Sequence, residues 1–301
     1  MCTRQPTNHK HLSSMQTRQF LIPLLALLLA ACNGPAATGP EAAVDGKLFI
    51  IGGGSRPEHM VERMIQEAGL GDGGYVVILP MASAEPDSAI IWSGEQFLRQ
   101  GVQHVTGFNF LAGESPRAEW LDSLRQAPLI YISGGSQSRF MDIVRHTPIM
   151  EALHEAYAAG AVIAGTSAGA AVMSEKMITG DELRYPEYRS TFPRIEADNL
   201  ELAEGLGLIT TAIIDQHFVW RSRHNRLITA VLEYPDLPGI GIDESTAILV
   251  HGNLAEVVGD AQVLVFRKQG GPGKRLGDKL GGTGISLDVF LPGDAFAIAQ
   301  P

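Results

Sequence analysis

Cysteine is almost absent from this 301-residue chain, which contains two, Cys2 and Cys32. Because none follows residue 32, the rest of the chain has no internal disulfide, no cysteine nucleophile and no cysteine-rich metal cluster. The His-Glu-x-x-His pattern of zinc peptidases is missing as well. We therefore expect no metal and no other cofactor, and any covalent catalysis must use a different nucleophile.

Positive charge is also scarce, with 23 basic residues against 33 acidic ones. Three of the basic residues, Arg4, Lys10 and Arg18, lie in the first 31 residues, which contain no acid. The remainder therefore has a net charge of −13. A surface of that sign repels phosphate backbones, so we expect no nucleic-acid partner.

Residues 1–31 are typical of a secretory signal peptide, with Arg18 before an apolar run from Phe20 to Ala31 that is too short for a membrane span. The run ends in Leu29-Ala30-Ala31-Cys32, which resembles the lipobox of bacterial lipoproteins. That resemblance implies lipidation at Cys32 and a protein anchored to the bacterial cell envelope, favouring the outer membrane, or released outside the cell. Residues 32–45 would be a flexible tether, and residues 46–301 a single domain.

Apolar strands alternate with helical patterns from residue 47 to residue 166. This order predicts an α/β fold with a mostly parallel sheet and helices on both faces. Short extended runs at 247–250, 255–258 and 262–267 predict antiparallel hairpins added to one edge near the C-terminus. The glycine-rich stretch 269–283 predicts a mobile loop, and Gly52-Gly53-Gly54 a tight turn, not a dinucleotide site, because its glycines are not spaced as Gly-x-Gly-x-x-Gly.

The segment Gly165-Thr166-Ser167-Ala168-Gly169 has the form of a nucleophile elbow, between an apolar strand and a helix of small residues. The alternative is an ordinary serine helix cap. A serine nucleophile needs a base, and His217 follows a strand-like run and precedes three arginines. In a chain this acidic, such a cationic cluster indicates recognition of a carboxylate. Asp243 and Glu244 follow another apolar strand, and one of the two can face the site.

Four segments together resemble signature blocks of the cyanophycinases, which belong to a serine peptidase family that also contains aspartyl dipeptidases. The blocks are Ser133-Gly134-Gly135-Ser136-Gln137, Gly165 to Ala170, Asp215 to Leu227, and Gly239 to Glu244. The resemblance covers roughly residues 47 to 267. It implies a three-layer α/β/α fold like that of class I glutamine amidotransferases. Ser136 stands where the family loop usually has Asp.

The resemblance also implies roles for individual residues. Ser167 would be the nucleophile, His217 the general base and Glu244 its orienter, and the backbone N–H groups of Gly135 and Ala168 would form the oxyanion hole. The implied substrate-binding residues are Gln137, Asp215, Gln216, Arg221, Arg223 and Arg226. The substrate would be cyanophycin or a β-aspartyl peptide, cut to β-Asp-Arg dipeptides, and the protein would be a homodimer.

Other functions are weighed by the order and identity of the candidate residues. An α/β-hydrolase esterase would place its acid before its histidine, whereas this chain has the order serine, histidine, glutamate. An amidotransferase would need a cysteine nucleophile. A dipeptidase acting on free isoaspartyl or aspartyl dipeptides and a non-catalytic peptide-binding lipoprotein stay open as alternatives.

Overall fold

The centre of the fold, in a computed structural model that describes residues 45–299, is a parallel sheet of five strands. Their order across the sheet is β1-β5-β4-β2-β3. Nearly every position of the four longer strands is buried, as expected for strands covered on both faces. The strands are β1 (Lys47–Ile51), β2 (Val76–Leu79), β3 (Val105–Gly107), β4 (Leu129–Ile132) and β5 (Val162–Thr166).

Helices cover both faces of this sheet, because alternate residues of each strand point to opposite sides. Leu48 and Ile50 join a cluster with helices α3 to α6, whereas Phe49 and Ile51 join a cluster with α1 and α2. The three-layer α/β architecture predicted from the sequence is confirmed. The helices are α1 (Glu58–Glu67), α2 (Pro86–Arg99), α3 (Ala118–Arg125), α4 (Gln137–Val144), α5 (Pro148–Ala158), α6 (Ala168–Ala171) and α7 (His224–Glu233), with a 3₁₀ turn at Leu70–Asp72.

Seven of the strands after β5 divide between the central sheet and a second sheet. Strands β10 (Thr246–His251), β11 (Leu254–Gly259) and β16 (Ala295–Ala297) extend the central sheet in antiparallel fashion beside β1. The run expected at 262–267 does not join them. It forms β12 (Val263–Lys268) in the second sheet, where Val263 to Phe266 pair in antiparallel fashion with β9 (Gly239–Ile242).

The second sheet has the order β15-β12-β9-β8 and packs against α7. Its strands β8 (Ile213–Gln216) and β9 (Gly239–Ile242) are parallel neighbours, and β15 (Ile285–Phe290) lies at the far edge. The two parallel strands consequently end at the same edge of the sheet, which is where His217 and Glu244 follow them.

The predicted mobile loop at 269–283 is wrong, because this stretch forms a hairpin of β13 (Gly273–Leu276) and β14 (Lys279–Gly282). The hairpin docks on the segment between β6 (Lys176–Glu182) and β7 (Leu200–Glu204), residues 183–199, hereafter the rim segment. The Ala197 N–H donates to the carbonyl of Asp278 at 2.8 Å, and Lys279 Nζ lies 2.5 Å from Glu196 Oε1. The glycine content favoured the prediction of an unstructured loop. The stretch is ordered because its backbone pairs with the rim segment, which is far away in the sequence.

The predicted signal peptide (residues 1–31), Cys32 and the predicted tether up to residue 44 lie outside the described residues. Within residues 45–299, no helix is long and apolar enough to cross a membrane.

The ion pair beneath the rim segment should anchor the hairpin. Glu196→Gln removes the charge of a side chain that is 2% exposed, while Lys279 can turn into water. We expect a loss of local stability, because the attraction between the carboxylate and the Lys279 ammonium is lost and an amide oxygen accepts more weakly than a carboxylate. Amide hydrogen exchange at residues 183–199 and 273–282 should become faster.

Asp198→Asn is the matched control for this change. It removes the exposed pair between Asp198 and Arg275, which should contribute less than about 1 kcal/mol. Equal exchange rates in Glu196→Gln and the unmodified protein would contradict an anchoring role for Glu196.

Candidate active site

Ser167 occupies a strained turn at the carboxyl end of β5. Its backbone φ of 56° and ψ of −110° lie outside the regions that a serine normally adopts. The turn is held because the Ser167 N–H donates to the carbonyl of Ile51 on the neighbouring strand at 3.1 Å. The conformation is that of a nucleophile elbow, and it leaves the hydroxyl facing a cavity.

His217 and Glu244 come from the second sheet and meet Ser167. The distance from His217 Nε2 to Ser167 Oγ is 2.8 Å, and that from His217 Nδ1 to Glu244 Oε1 is 2.6 Å. A carboxylate can only accept, so Nδ1 carries the proton and Nε2 is left to accept from the serine hydroxyl. Ser167 and His217 are 50 positions apart in the sequence, and His217 and Glu244 are 27 apart. The fold joins the three residues into one hydrogen-bonded chain.

The glycine turn after β1 holds the histidine. The His217 N–H donates to the carbonyl of Gly52 at 2.7 Å. Gly53 has a φ of 118°, and a side chain there would place its Cβ 2.2 Å from the His217 ring. The sequence pattern predicts a tight turn at this position. It does not predict that the turn contacts the catalytic histidine. Three consecutive glycines after a buried strand were the available signal.

Asp243 faces away from the triad, as the alternation of side chains requires. Its Oδ1 accepts from the Trp220 N–H at 2.9 Å and so fixes the loop that follows His217. Glu244 is thus the carboxylate that reaches the histidine, with a side chain that is 25% exposed.

Two backbone N–H groups beside Ser167 are suited to hold a negatively charged oxygen. Gly135 lies in the loop after β4, where a φ of 141° and the nearby Ala82 carbonyl exclude a side chain. Ala168 is the first residue of α6. Neither N–H donates a hydrogen bond to another residue in the described part of the chain. Both are candidates for an oxyanion hole.

The hydroxyl of Ser167 opens onto a cavity of about 290 Å³. Most residues implied as substrate-binding line it, namely Gln137, Gln216, Arg221, Arg223 and Arg226. Further cavity-lining residues were not individually predicted from the sequence, namely Ser138, Thr179, Gly180, Asp181 and Tyr188. The last two belong to residues 181–199, and the only signal in the sequence that could have indicated them is that this stretch is rich in Arg, Glu, Tyr and Pro.

Asp215 does not line the cavity, unlike the other residues implied for substrate binding. It is 1% exposed, and its two carboxylate oxygens accept from the guanidinium of Arg226. Asp215 therefore fixes the position of the Arg226 guanidinium without lining the cavity itself. Gln216 fixes the position of the Arg223 guanidinium, whose Nη1 donates to the Gln216 carbonyl at 2.7 Å and also to its side chain.

The arginines make the cavity strongly cationic. Burial, followed by the charge of Arg226, lowers the pKa of Arg223 to about 10. Burial and the neighbouring arginine therefore destabilise the protonated form, and an anion such as a carboxylate would relieve this. Burial is also the main cause that lowers the pKa of His217 below its ordinary 6.5; the charges of Arg221 and Arg223 act in the same direction, against the hydrogen bond to Glu244. The histidine is thus neutral and able to accept a proton at neutral pH.

The chain is similar to known proteins in sequence and in fold. A model of peptidase family S51 matches residues 48–258. The cyanophycinase of Nostoc sp. (strain PCC 7120) is 35% identical over 72% of this chain and 72% of its own, and that of Synechococcus elongatus is 32% identical over 79% and 74%. A crystal structure of a peptidase from an acI-B1 Actinobacterium shares the fold, with a TM-score of 0.61, 22% identity, and coverage of 85% of this chain and 98% of that one.

Arg221 should influence the basicity of His217 at a distance. Arg221→Gln removes a positive charge, so the pKa of His217 should rise and the histidine should remain protonated to a higher pH. Labelling of Ser167 by a sulfonyl fluoride requires the neutral histidine. The acid limb of its pH profile should therefore shift to higher pH.

Arg221→Lys is the control, because it keeps the charge and should leave the acid limb in place. An unchanged pH profile in Arg221→Gln would show that Arg221 does not act on the base.

Proposed function

Because the chain belongs to peptidase family S51, we propose that it is a serine exopeptidase that hydrolyses cyanophycin to β-Asp-Arg dipeptides outside the cytoplasm. That it is a serine-type peptidase follows from the family and from the cyanophycinase relatives. The observation that carries the substrate assignment is the hydrogen-bonded chain Ser167–His217–Glu244 at the mouth of an arginine-lined cavity.

The proposed reaction begins when Ser167 Oγ attacks the scissile carbonyl carbon as His217 Nε2 takes the hydroxyl proton. Glu244 keeps the ring in the required tautomer and stabilises the imidazolium. The N–H groups of Gly135 and Ala168 stabilise the oxyanion of the tetrahedral intermediate. His217 then gives its proton to the departing amine, leaving an acyl group on Ser167. Water, deprotonated by His217, releases the acid product and restores the serine.

The cavity supports an enzyme that acts at the end of a chain or on a short peptide. Its volume of about 290 Å³ is at the lower limit for small-ligand sites, which occupy about 300–1,000 Å³. Aspartyl carboxylates fit the guanidinium groups of Arg221, Arg223 and Arg226, which can bind them in bidentate fashion. The same volume favours the alternative, an isoaspartyl dipeptidase that acts on free dipeptides.

Purified protein given cyanophycin and a set of α- and β-aspartyl dipeptides tests both proposals. We expect release of β-Asp-Arg from the polymer, identified by product mass. Ser167→Ala should reduce this rate by at least about 1,000-fold, because the nucleophile is lost, while circular dichroism and thermal unfolding stay unchanged.

Cleavage of dipeptides but not of polymer would favour the dipeptidase. Undiminished turnover by Ser167→Ala would remove Ser167 from the nucleophile role. Absence of hydrolysis of every substrate would favour a non-catalytic peptide-binding protein.

Lipidation at Cys32 is the second part of the proposal. It is supported by the motif Leu29-Ala30-Ala31-Cys32 and by the absence of another use for a lone thiol in an exported chain. Several acyl chains on one residue would anchor the protein stably. A homodimer is proposed on the family resemblance, and light scattering of the purified protein tests it.

Cys32→Ala should abolish the incorporation of labelled fatty acid into the protein in a bacterial host, with unchanged peptidase activity. Mass spectrometry of the N-terminal peptide should find acyl groups on Cys32 in the unmodified protein. Equal incorporation of labelled fatty acid into Cys32→Ala and into the unmodified protein would contradict the anchor.

A further inference from the structure

Among the described residues that line the cavity, Asp181 is the one that carries a carboxylate. An irregularity in the pairing of β6 with β7, between Ile178 and Glu182, brings it there. Gly180 in this bulge has a φ of 100°, which glycine adopts readily. The Thr179 hydroxyl accepts from the Asp181 N–H at 3.3 Å and donates to Glu201 Oε2 at 2.6 Å. The position of Asp181 is thus built into the strand.

Asp181 does not serve to neutralise the arginines of the cavity. Within residues 45–299, its carboxylate forms no salt bridge shorter than 4.0 Å and no side-chain hydrogen bond. Asp215 carries out the neutralising role below the cavity, in a bidentate pair with Arg226. The Asp181 carboxylate is exposed at the cavity and available to a ligand.

The cavity that Asp181 lines also contains an aromatic side chain. Tyr188 of the rim segment lines the same cavity and is 59% exposed. Its Cε2 lies 3.9 Å from the point where a Cβ on Gly180, the residue before Asp181, would be, and Arg226 Nη1 lies 3.8 Å from the same point. A planar guanidinium both pairs with a carboxylate and stacks on an aromatic face, more favourably than a compact ammonium does.

We propose that Asp181 and Tyr188 form the subsite for the cationic arginine side chain of the substrate. The cavity then binds a zwitterion, with its carboxylate on Arg221, Arg223 and Arg226 and its guanidinium on Asp181 and Tyr188. This inference rests on the proposed function and names the residues that select an arginine-bearing peptide. Ser136, which also lines the cavity, is uncharged and caps α4 by accepting from the Arg139 N–H at 3.2 Å.

Equilibrium binding in the inert Ser167→Ala background tests the subsite without catalysis. The ligands are β-Asp-Arg and β-Asp-citrulline, which has the same shape without the charge. We expect β-Asp-Arg to bind more tightly, and Asp181→Asn to weaken its binding roughly 5- to 10-fold, as expected for the loss of one partly solvated ion pair of about 1 kcal/mol. Binding of β-Asp-citrulline should not change.

Three further variants sharpen the result. Asp181→Glu should recover part of the preference for arginine, and Tyr188→Leu should reduce it by removing the stacking surface. Glu187→Gln is the matched control, because Glu187 is an exposed acid of the rim segment that does not line the cavity; it should leave both ligands unaffected.

An equal loss of both ligands in Asp181→Asn, or no preference for arginine in the parent protein, would overturn the proposal. In the catalytically active background, Asp181→Asn should raise KM for the arginyl substrate with little change in kcat. A binding preference without any hydrolysis would refute the proposed function alone. Hydrolysis without the preference would refute the subsite alone.

Discussion

Two backbone hydrogen bonds between the sheets determine the geometry of the whole site. The His217 N–H donates to the carbonyl of Gly52 at 2.7 Å, and the Ser245 N–H donates to the carbonyl of Gly53 at 2.8 Å. They attach the ends of β8 and β9, which carry the base and its carboxylate, to the end of β1 beside the strand that carries Ser167. A small displacement here would lengthen the contact between His217 Nε2 and Ser167 Oγ, and catalysis is sensitive to such changes. Gly53 is required because the histidine ring occupies the space of a side chain, and Gly52 because the carbonyl oxygens of Ile242 and Asp243 do.

The arginine cluster joins substrate binding to acid–base chemistry. Three guanidinium groups beside a cavity favour an anionic ligand. Burial is the main cause that lowers the pKa of His217, and two of the same charges lower it further. There is therefore a pH range in which His217 is neutral and a carboxylate substrate is ionised. Binding and catalysis are both favoured in that range. Such a cluster would be unstable without support. Asp215 stabilises the cluster by accepting from Arg226, and Gln216 does so by accepting from Arg223. This role explains why Asp215, an acidic residue of the motif, is buried away from the cavity.

The rim shows how a distant element can contribute to a site. Tyr188 belongs to the rim segment, which lacks a regular strand or helix over most of its length. It is supported from behind by the β13–β14 hairpin, through backbone pairing and the buried Glu196. The cavity wall thus depends on residues about 90 positions later in the chain. A surface of this kind can differ between relatives while the triad stays in place, since loops tolerate change better than buried strands do.

The sequence by itself determined the local features: the alternation of strands and helices, the elbow at Ser167, the arginine-rich block after His217 and the absence of a cysteine nucleophile. These follow from short-range periodicity and from the chemistry of single residues. Only the tertiary structure decided that Gly53 packs on the His217 ring, that Asp215 supports Arg226 and does not face the cavity, that β12 joins the second sheet, and that residues 269–283 form a docked hairpin. Each of these depends on pairing between segments far apart in the chain. Neither hydrophobic period nor turn composition specifies which distant backbone groups will satisfy one another.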